Sequence, residues 1–276
     1  MADASIVSGH YHHGSLLQAI EAGMARLGKS PATVSMADLA PVEEFHIGGR
    51  AATLSVFDTL GLEAGDRVLD IGCGIGGPAR LAAATYGCTV SGIDLTPEYV
   101  ATGNTLSDWF NLRPQVALQN GNAMALPFAD QSFDKAYLLH VGMNIADKAT
   151  LAEGIARVLR PGGRVAIYDV MRTGPGDLSF PVPWAETPAA NAAAPADDYR
   201  SAITDARLDL VHDENRSAIA LDFFTKMRAA SAQAGGPPPL GLHILMGASA
   251  ATKVANMVAN ISAGRLAPVL MIAQKP

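Results

Sequence analysis

Two carboxylates flanking a run of glycines are the residues of this chain best suited to hold a small ligand. Val68-Leu69-Asp70-Ile71-Gly72-Cys73-Gly74-Ile75-Gly76-Gly77 reads as a buried strand passing into a glycine turn that opens a helix. Gly72, Gly74 and Gly77 fit G-x-G-x-x-G, in which the missing side chains let the backbone approach a ligand closely. Asp70 selects among such ligands. Its charge, two residues before the first glycine, repels a pyrophosphate and attracts a cation. Asp94 lies 24 residues after Asp70, at the end of the next apolar run. There an acidic side chain can accept hydrogen bonds from both hydroxyls of a ribose. Its alternative role is structural, as the residue before the helix start Thr96-Pro97.

These residues need a scaffold that gathers strand ends on one side. Apolar runs alternate with helical patterns from about residue 67 to 173, as a parallel βαβ array requires. The patterns predict strands over Arg67–Ile71, Thr89–Leu95, Gln115–Leu118, Phe133–Leu139 and Val165–Val170, and helices over Pro78–Tyr86, Pro97–Leu112 and Lys148–Leu159. Arg160-Pro161-Gly162-Gly163 reads as the stop of the last helix. A helix from near Ala196, a strand over Leu208–Val211 and a final strand over Pro268–Ala273 follow. Two apolar helical stretches, about 218–232 and 248–261, flank Gly235-Gly236-Pro237-Pro238-Pro239. In an open α/β sheet ligands bind beyond the carboxyl ends of the strands. His140, just after the fourth predicted strand, therefore has an active-site position; a packing role is the alternative.

In combination, residues 67–173 resemble the class I S-adenosylmethionine (SAM)-dependent methyltransferases. That ligand has no phosphate and carries an ammonium and a sulfonium, which suits Asp70. Phe45-His46-Ile47-Gly48-Gly49-Arg50 resembles the segment preceding the glycine motif in their small-molecule branch, which includes sarcosine/dimethylglycine, phosphoethanolamine and tocopherol-type enzymes. The resemblance implies an α/β fold: a Rossmann-like, seven-stranded, mostly parallel sheet with helices on both faces, a helical N-terminal cover and a cap inserted between the last strands. It implies SAM as cofactor, leaving as S-adenosylhomocysteine, and no metal. By the same resemblance the cofactor contacts are His46, Ile47, Asp70, Gly72, Cys73, Gly74, Gly76, Asp94, Leu95, Asn122, Ala123, Met124 and His140. Asn122 departs from the family, where an acidic residue commonly receives the adenine amino group; an amide oxygen accepts that bond without a charge. In relatives a histidine at the position of His140 pairs with an N-terminal tyrosine, for which Tyr11 is the positional candidate, and the two form the expected catalytic pair. Met143, Asn144, Trp184 and Glu186 are the expected substrate contacts. The aromatic face of Trp184 beside the carboxylate of Glu186 can hold a cationic amine or simply anchor the lid.

The expected reaction is in-line methyl transfer to an N, O, S or C nucleophile of a small molecule, with His140 as the candidate base. Two other readings remain open. One is a protein of the same fold that binds the cofactor without methylating, as a binding or cyclising protein. The other is an NAD(P)-dependent dehydrogenase, which shares the glycine spacing and Asp94 but conflicts with Asp70 and lacks a recognisable Tyr-x-x-x-Lys pair.

Composition bounds the partners. The chain has 276 residues, is 49% hydrophobic and carries a formal net charge of −6 without a basic stripe, so a folded core is expected and a nucleic-acid surface is not. Only Cys73 and Cys88 are present, which suggests no disulfide framework and a reducing, cytoplasmic setting. Neither a secretory signal nor a spanning apolar run is visible. His10, His12 and His13 have no matching ligand set elsewhere and read as chance rather than as a metal site. The expected organisation is a helical cover over 1–60, a cofactor-binding core over 61–173, a remainder with the cap over 174–267 and a last strand over 268–276. The stretch 248–261 can be a buried cap helix or the face of a homodimer.

Overall fold

A computed structural model describes Gly9, Tyr11 and residues 14–276; His10, His12 and His13 lie outside the described residues. Seven strands form one sheet: β1 (Arg67–Ile71), β2 (Thr89–Asp94), β3 (Val116–Asn120), β4 (Phe133–Leu139), β5 (Leu159–Arg172), β6 (Asp209–Asn215) and β7 (Leu266–Gln274). Their order is β3-β2-β1-β4-β5-β7-β6, with β1 to β5 parallel and β7 antiparallel between β5 and β6. The order reverses between β1 and β4. Connections leaving these two strands diverge, and the crevice beyond their carboxyl ends is where such sheets bind ligands.

The helices are α1 (Leu16–Arg26), α2 (Met36–Glu43), α3 (Gly49–Leu60), α4 (Gly77–Tyr86), α5 (Pro97–Trp109), α6 (Lys148–Val158), α7 (Ala196–Asp205), α8 (Ser217–Gln233), α9 (His243–Met246) and α10 (Ala250–Ser262). Both sheet faces are covered, so the central strands are near-continuous apolar runs rather than alternating ones. On one face Val56, Phe57 and Leu60 of α3 and Ala79 and Ala82 of α4 pack on Val68, Val90, Tyr137 and Tyr168. On the other, Leu151 and Ile155 of α6 and Ile203 of α7 pack on Leu69, Ile71, Leu138 and Ile167.

β1 and β4 have the bounds their apolar runs predict. The Arg160–Gly163 segment does not. Helix α6 ends at Val158, and Leu159 already pairs with Phe133 in the sheet. The strand then runs through Pro161-Gly162-Gly163 with a register shift against β4, and Gly162 takes φ 79° while its N–H bonds Lys275 O (2.8 Å). These glycines relieve a bulge inside β5; they do not stop a helix.

Two helical layers close the crevice. Before β1, α1 to α3 form the cover, and Glu98 of α5 ties it down by accepting from Gly14 N and Leu16 N (both 2.8 Å). Between β6 and β7, α8 to α10 form the cap. Phe224, Met257 and Ile261 pack there with Val182, Trp184 and Leu266. Asn260 exchanges hydrogen bonds with the Ser179 backbone in both directions (2.9 and 3.0 Å), fastening α10 to the segment after β5. The apolar face of α10 is thus part of the cap's own core. Among the described residues no helix is long and apolar enough to cross a membrane.

Candidate functional site

The glycine turn after β1 is stitched to β2 by its own backbone. Gly72 N and Cys73 N both donate to Ile93 O (2.8 and 3.0 Å), and Gly74 N donates to Asp94 Oδ2 (2.9 Å). Asp94 Oδ1 accepts from Thr96 N (2.8 Å) ahead of α5. The structural role of Asp94 is thus in place, organising the turn and the helix start, and the residue also lines the cavity above the turn. Gly72 has φ 71°, and a Cβ there would lie 2.4 Å from Val141 Cγ2. Gly72→Ala is expected to lose about 2–4 kcal/mol of stability from left-handed strain and overpacking combined, read as a lower midpoint in chemical denaturation at unchanged slope.

A cavity of about 590 Å³ lies over this turn, within the roughly 300–1,000 Å³ range of small-molecule sites. Asp70, Gly72, Cys73 and Gly74 form one wall, Asp94, Leu95 and Thr96 a second, and Asn122, Ala123 and Met124 a third. Asn122 Oδ1 caps the short turn Ala123–Ala125 by accepting from Met124 N (2.9 Å), which leaves one lone pair for a donor in the cavity. Asp70 is buried, and Tyr137 donates to its Oδ2 (3.0 Å). Burial pushes its carboxyl up to about 8, with the charge of Asp94 adding to the rise. Burial also raises the Asp94 carboxyl, against the hydrogen bonds from Thr96 and Gly74. Two desolvated carboxylates facing one cavity are relieved by a cation.

Two expected cofactor contacts lie elsewhere. Gly76 does not line this cavity; a Cβ there would meet Leu118 Cδ1 at 2.7 Å, so it is glycine for packing at the start of α4. Ile47 faces a second, larger chamber and packs in the cap cluster, while its carbonyl accepts from Tyr168 Oη (3.0 Å).

The second chamber, about 1300 Å³, adjoins the first. Tyr11, Phe45, His46 and His140 line both. His140 follows β4 with φ 56°, a conformation rare for a non-glycine residue, held by its N–H donating to Tyr168 O (2.7 Å). Its ring lies 5.1 Å from that of Tyr168 and 5.9 Å from that of His46. His140 Nε2 is buried and has no hydrogen-bond partner among the described residues. Burial, with His46 adding, holds its imidazole well below the usual histidine range. At neutral pH it is a neutral ring with a buried nitrogen unclaimed by the fold.

Behind it stands a buried chain of polar groups. Thr53 Oγ1 donates to Glu44 Oε2 (2.6 Å) and lies 2.9 Å from His46 Nε2, which is also 3.2 Å from Gly49 O. With Glu44 ionised, the Thr53 proton is committed to the carboxylate, so His46 carries its proton on Nε2 and presents Nδ1 as the lone-pair nitrogen. Burial holds His46 down to about 4 and pushes Glu44 up to about 7.

Tyr11 reaches the same junction, packing edge-on against Phe45 at 6.2 Å. Its hydroxyl donates to Asn144 Oδ1 (3.4 Å), not to the unpartnered Nε2 of His140. Asn144 lines the first cavity, whereas Met143 and Trp184 line the chamber. Trp184 is buried, its indole N–H donating to Asn191 Oδ1 (2.8 Å). Glu186 lines neither cavity, because its carboxylate pairs with the buried Lys253 Nζ at 2.7 Å. The aromatic-plus-carboxylate pocket for a cationic amine is therefore not assembled.

Glu44 and Thr53 carry no motif and were invisible in the sequence. The chamber residues Leu221, Phe224 and Arg228 on α8, and Val254, Met257 and Val258 on α10, follow helical spacing. That periodicity signals a buried face, but not that the face encloses a cavity. Among the described residues no three His, Cys, Asp or Glu side chains are grouped to hold a metal.

Residues 69–167 match the family described as methyltransferase domain. The chain is 36% identical over 156 residues to the O-methyltransferase resE of Aspergillus sclerotiorum, covering 56% of this chain and 57% of that protein. It is 33% identical over 137 residues to the methyltransferase GfsG of Streptomyces halstedii, covering 50% and 49%. The matches thus span about half the length of these curated relatives. Among solved structures, the [4+2]-cyclase SpnF superposes with a TM-score of 0.69 at 22% identity, over 99% of this chain and 97% of that one. Phosphoethanolamine N-methyltransferase 2 of Haemonchus contortus superposes at 0.72 and 21% identity, over 92% and 60%. At these identities the likeness is one of fold.

Proposed function

We propose that this chain, whose residues 69–167 match a methyltransferase domain, is a class I SAM-dependent methyltransferase that methylates a protic nucleophile of a small-molecule acceptor seated where its two cavities meet. The observation that carries this reading is the shared wall of Tyr11, Phe45, His46 and His140. A donor in the smaller cavity and an acceptor in the larger one would face each other there, with water excluded by the cover and cap.

SAM, when bound, supplies an electrophilic methyl group on a sulfonium. The chain's own residues would hold it: Asp94 would accept from the ribose hydroxyls, Asn122 from the adenine amino group, and Asp70 would balance the charge of the ammonium end. In such a transfer the acceptor's lone pair would form the bond to the methyl carbon while the sulfur–carbon bond broke with its electron pair left on sulfur. The acceptor's proton would pass to the neutral imidazole of His140, which lines both cavities. A depressed imidazole makes a poor base in isolation, but here charge is conserved within the site. The imidazolium gains the positive charge that the sulfonium loses, so the low dielectric does not oppose the transfer.

The Asp70 environment gives a pH test of the cofactor assignment. Burial lifts its carboxyl to about 8, so below that pH Asp70 is mostly protonated. A cation favours the ionised form, and binding must release the proton. SAM affinity is expected to rise by about tenfold per pH unit up to pH 8 and then level off. Calorimetric titrations in buffers of different ionisation enthalpy should show proton release at pH 7; a flat profile would count against Asp70 as the cation's partner.

Transfer itself is tested with methyl-labelled SAM and extracted metabolites. Label recovered in an acceptor supports methylation. Tight cofactor binding without label transfer would favour the non-methylating use of the same fold.

A further inference from the structure

The walls of the larger chamber bear on which acceptor this site takes, an inference that rests on the methyltransferase reading. At about 1300 Å³ it exceeds both the cofactor cavity and the usual range for drug-sized ligands. Its faces are built from large apolar side chains, among them Met143, Trp184, Phe223, Phe224, Met227 and Val254. Such a surface gains affinity only from apolar area that the ligand removes from water, which a compact polar metabolite cannot supply.

Charge points the same way. Among the described residues Glu44 is the only carboxylate in the chamber wall, and it is buried with its Oε2 hydrogen-bonded by Thr53. Glu186 is drawn off by Lys253. The other charged side chains lining the chamber are the cationic Arg50 and Arg228. An ammonium group placed here would be stripped of water and meet two guanidinium groups, and the carboxylate of Glu44 already takes the Thr53 hydrogen bond and is offset by the charge of Arg50. Polar capacity is instead concentrated at the junction, where the neutral rings of His46 and His140 can accept a proton.

We infer that the acceptor is a large, apolar molecule without positive charge, its body in the chamber and a single hydroxyl at the His46–His140 junction. The hydroxyl oxygen forms the new bond to carbon, its proton goes to His140, and the sulfur keeps the electron pair of the bond that breaks. Small amines and amino acids are excluded as acceptors.

The full chain is first titrated with S-adenosylhomocysteine. Absence of binding would overturn the methyltransferase reading itself. With S-adenosylhomocysteine saturating, estradiol serves as a neutral, apolar, hydroxyl-bearing probe, and dimethylglycine and ethanolamine serve as small ammonium-bearing ones. Estradiol is expected to bind at least about tenfold more tightly than either amine, a difference calorimetry resolves readily. Val254→Trp, which fills the chamber from α10, should weaken estradiol by about tenfold or more while leaving S-adenosylhomocysteine affinity within about twofold. Ala251→Trp, at an exposed position of the same wall, is the second variant should the first fail to bind S-adenosylhomocysteine. Tighter binding of either amine, or estradiol binding unaffected by a variant that still binds S-adenosylhomocysteine, would overturn the inference.

Discussion

Asp94→Ala is expected to weaken S-adenosylhomocysteine binding by about 10²–10⁴-fold. Hydrogen bonds to a charged acceptor are worth about 1.5–3 kcal/mol each, and two of them to a ribose amount to about 3–6 kcal/mol. The substitution also releases Gly74 N and Thr96 N, which the carboxylate now holds at 2.9 and 2.8 Å. The glycine turn and the start of α5 would lose their common anchor, so the loss reaches beyond the ribose. Asp94→Asn keeps an acceptor oxygen but replaces one charged acceptor with a donor, and should fall between the two, about tenfold weaker than the native chain. Calorimetric titration, with far-UV circular dichroism to confirm folding, measures both. Unchanged affinity in the alanine variant would remove Asp94 from the cofactor site.

His140→Ala is expected to lower turnover of a hydroxyl acceptor by about 10²–10⁴-fold, the usual contribution of a positioned general base, with S-adenosylhomocysteine affinity within a few-fold of native. The alanine change alone mixes two effects, since φ at this residue is 56° and any residue with a Cβ is strained there. His140→Asn separates them. Asparagine tolerates the left-handed conformation better than most residues, so it should fold at least as stably as the alanine variant yet be nearly as slow. The large neighbouring chamber admits a small base, and added imidazole should recover part of the alanine variant's rate. A structural residue would not respond to imidazole. Native turnover should also lack a histidine limb near pH 6.5, because burial keeps His140 neutral well below that pH.

The cofactor side was legible because it is local. Asp70, the glycine turn and Asp94 lie on consecutive strand ends, and strand-to-turn chemistry is written in contiguous residues. Asn122, Ala123 and Met124, which the family resemblance implies as contacts, line the same cavity. Errors arose where a residue type serves more than one purpose. Gly76 satisfies packing against Leu118, and Gly162 and Gly163 relieve a bulge in β5 where a helix stop was expected. Glu186 is spoken for by Lys253, which lies 67 positions along the chain and has no sequence cue. Tyr11 does come to the junction, yet its hydroxyl finds Asn144 rather than His140 Nε2.

By itself the sequence determined the α/β class, the parallel array and the chemistry of one ligand, since periodicity and a cation-attracting carboxylate before a glycine turn need no long-range contact. Only the tertiary structure decided what faces the His46–His140 junction. The cover and the cap are separated by more than 150 residues along the chain, and the volume between them depends on how two helical layers dock. No local pattern encodes a volume. The Glu44–Thr53–His46 chain, the orphaned Nε2 of His140 and the apolar chamber exist only once that docking is complete.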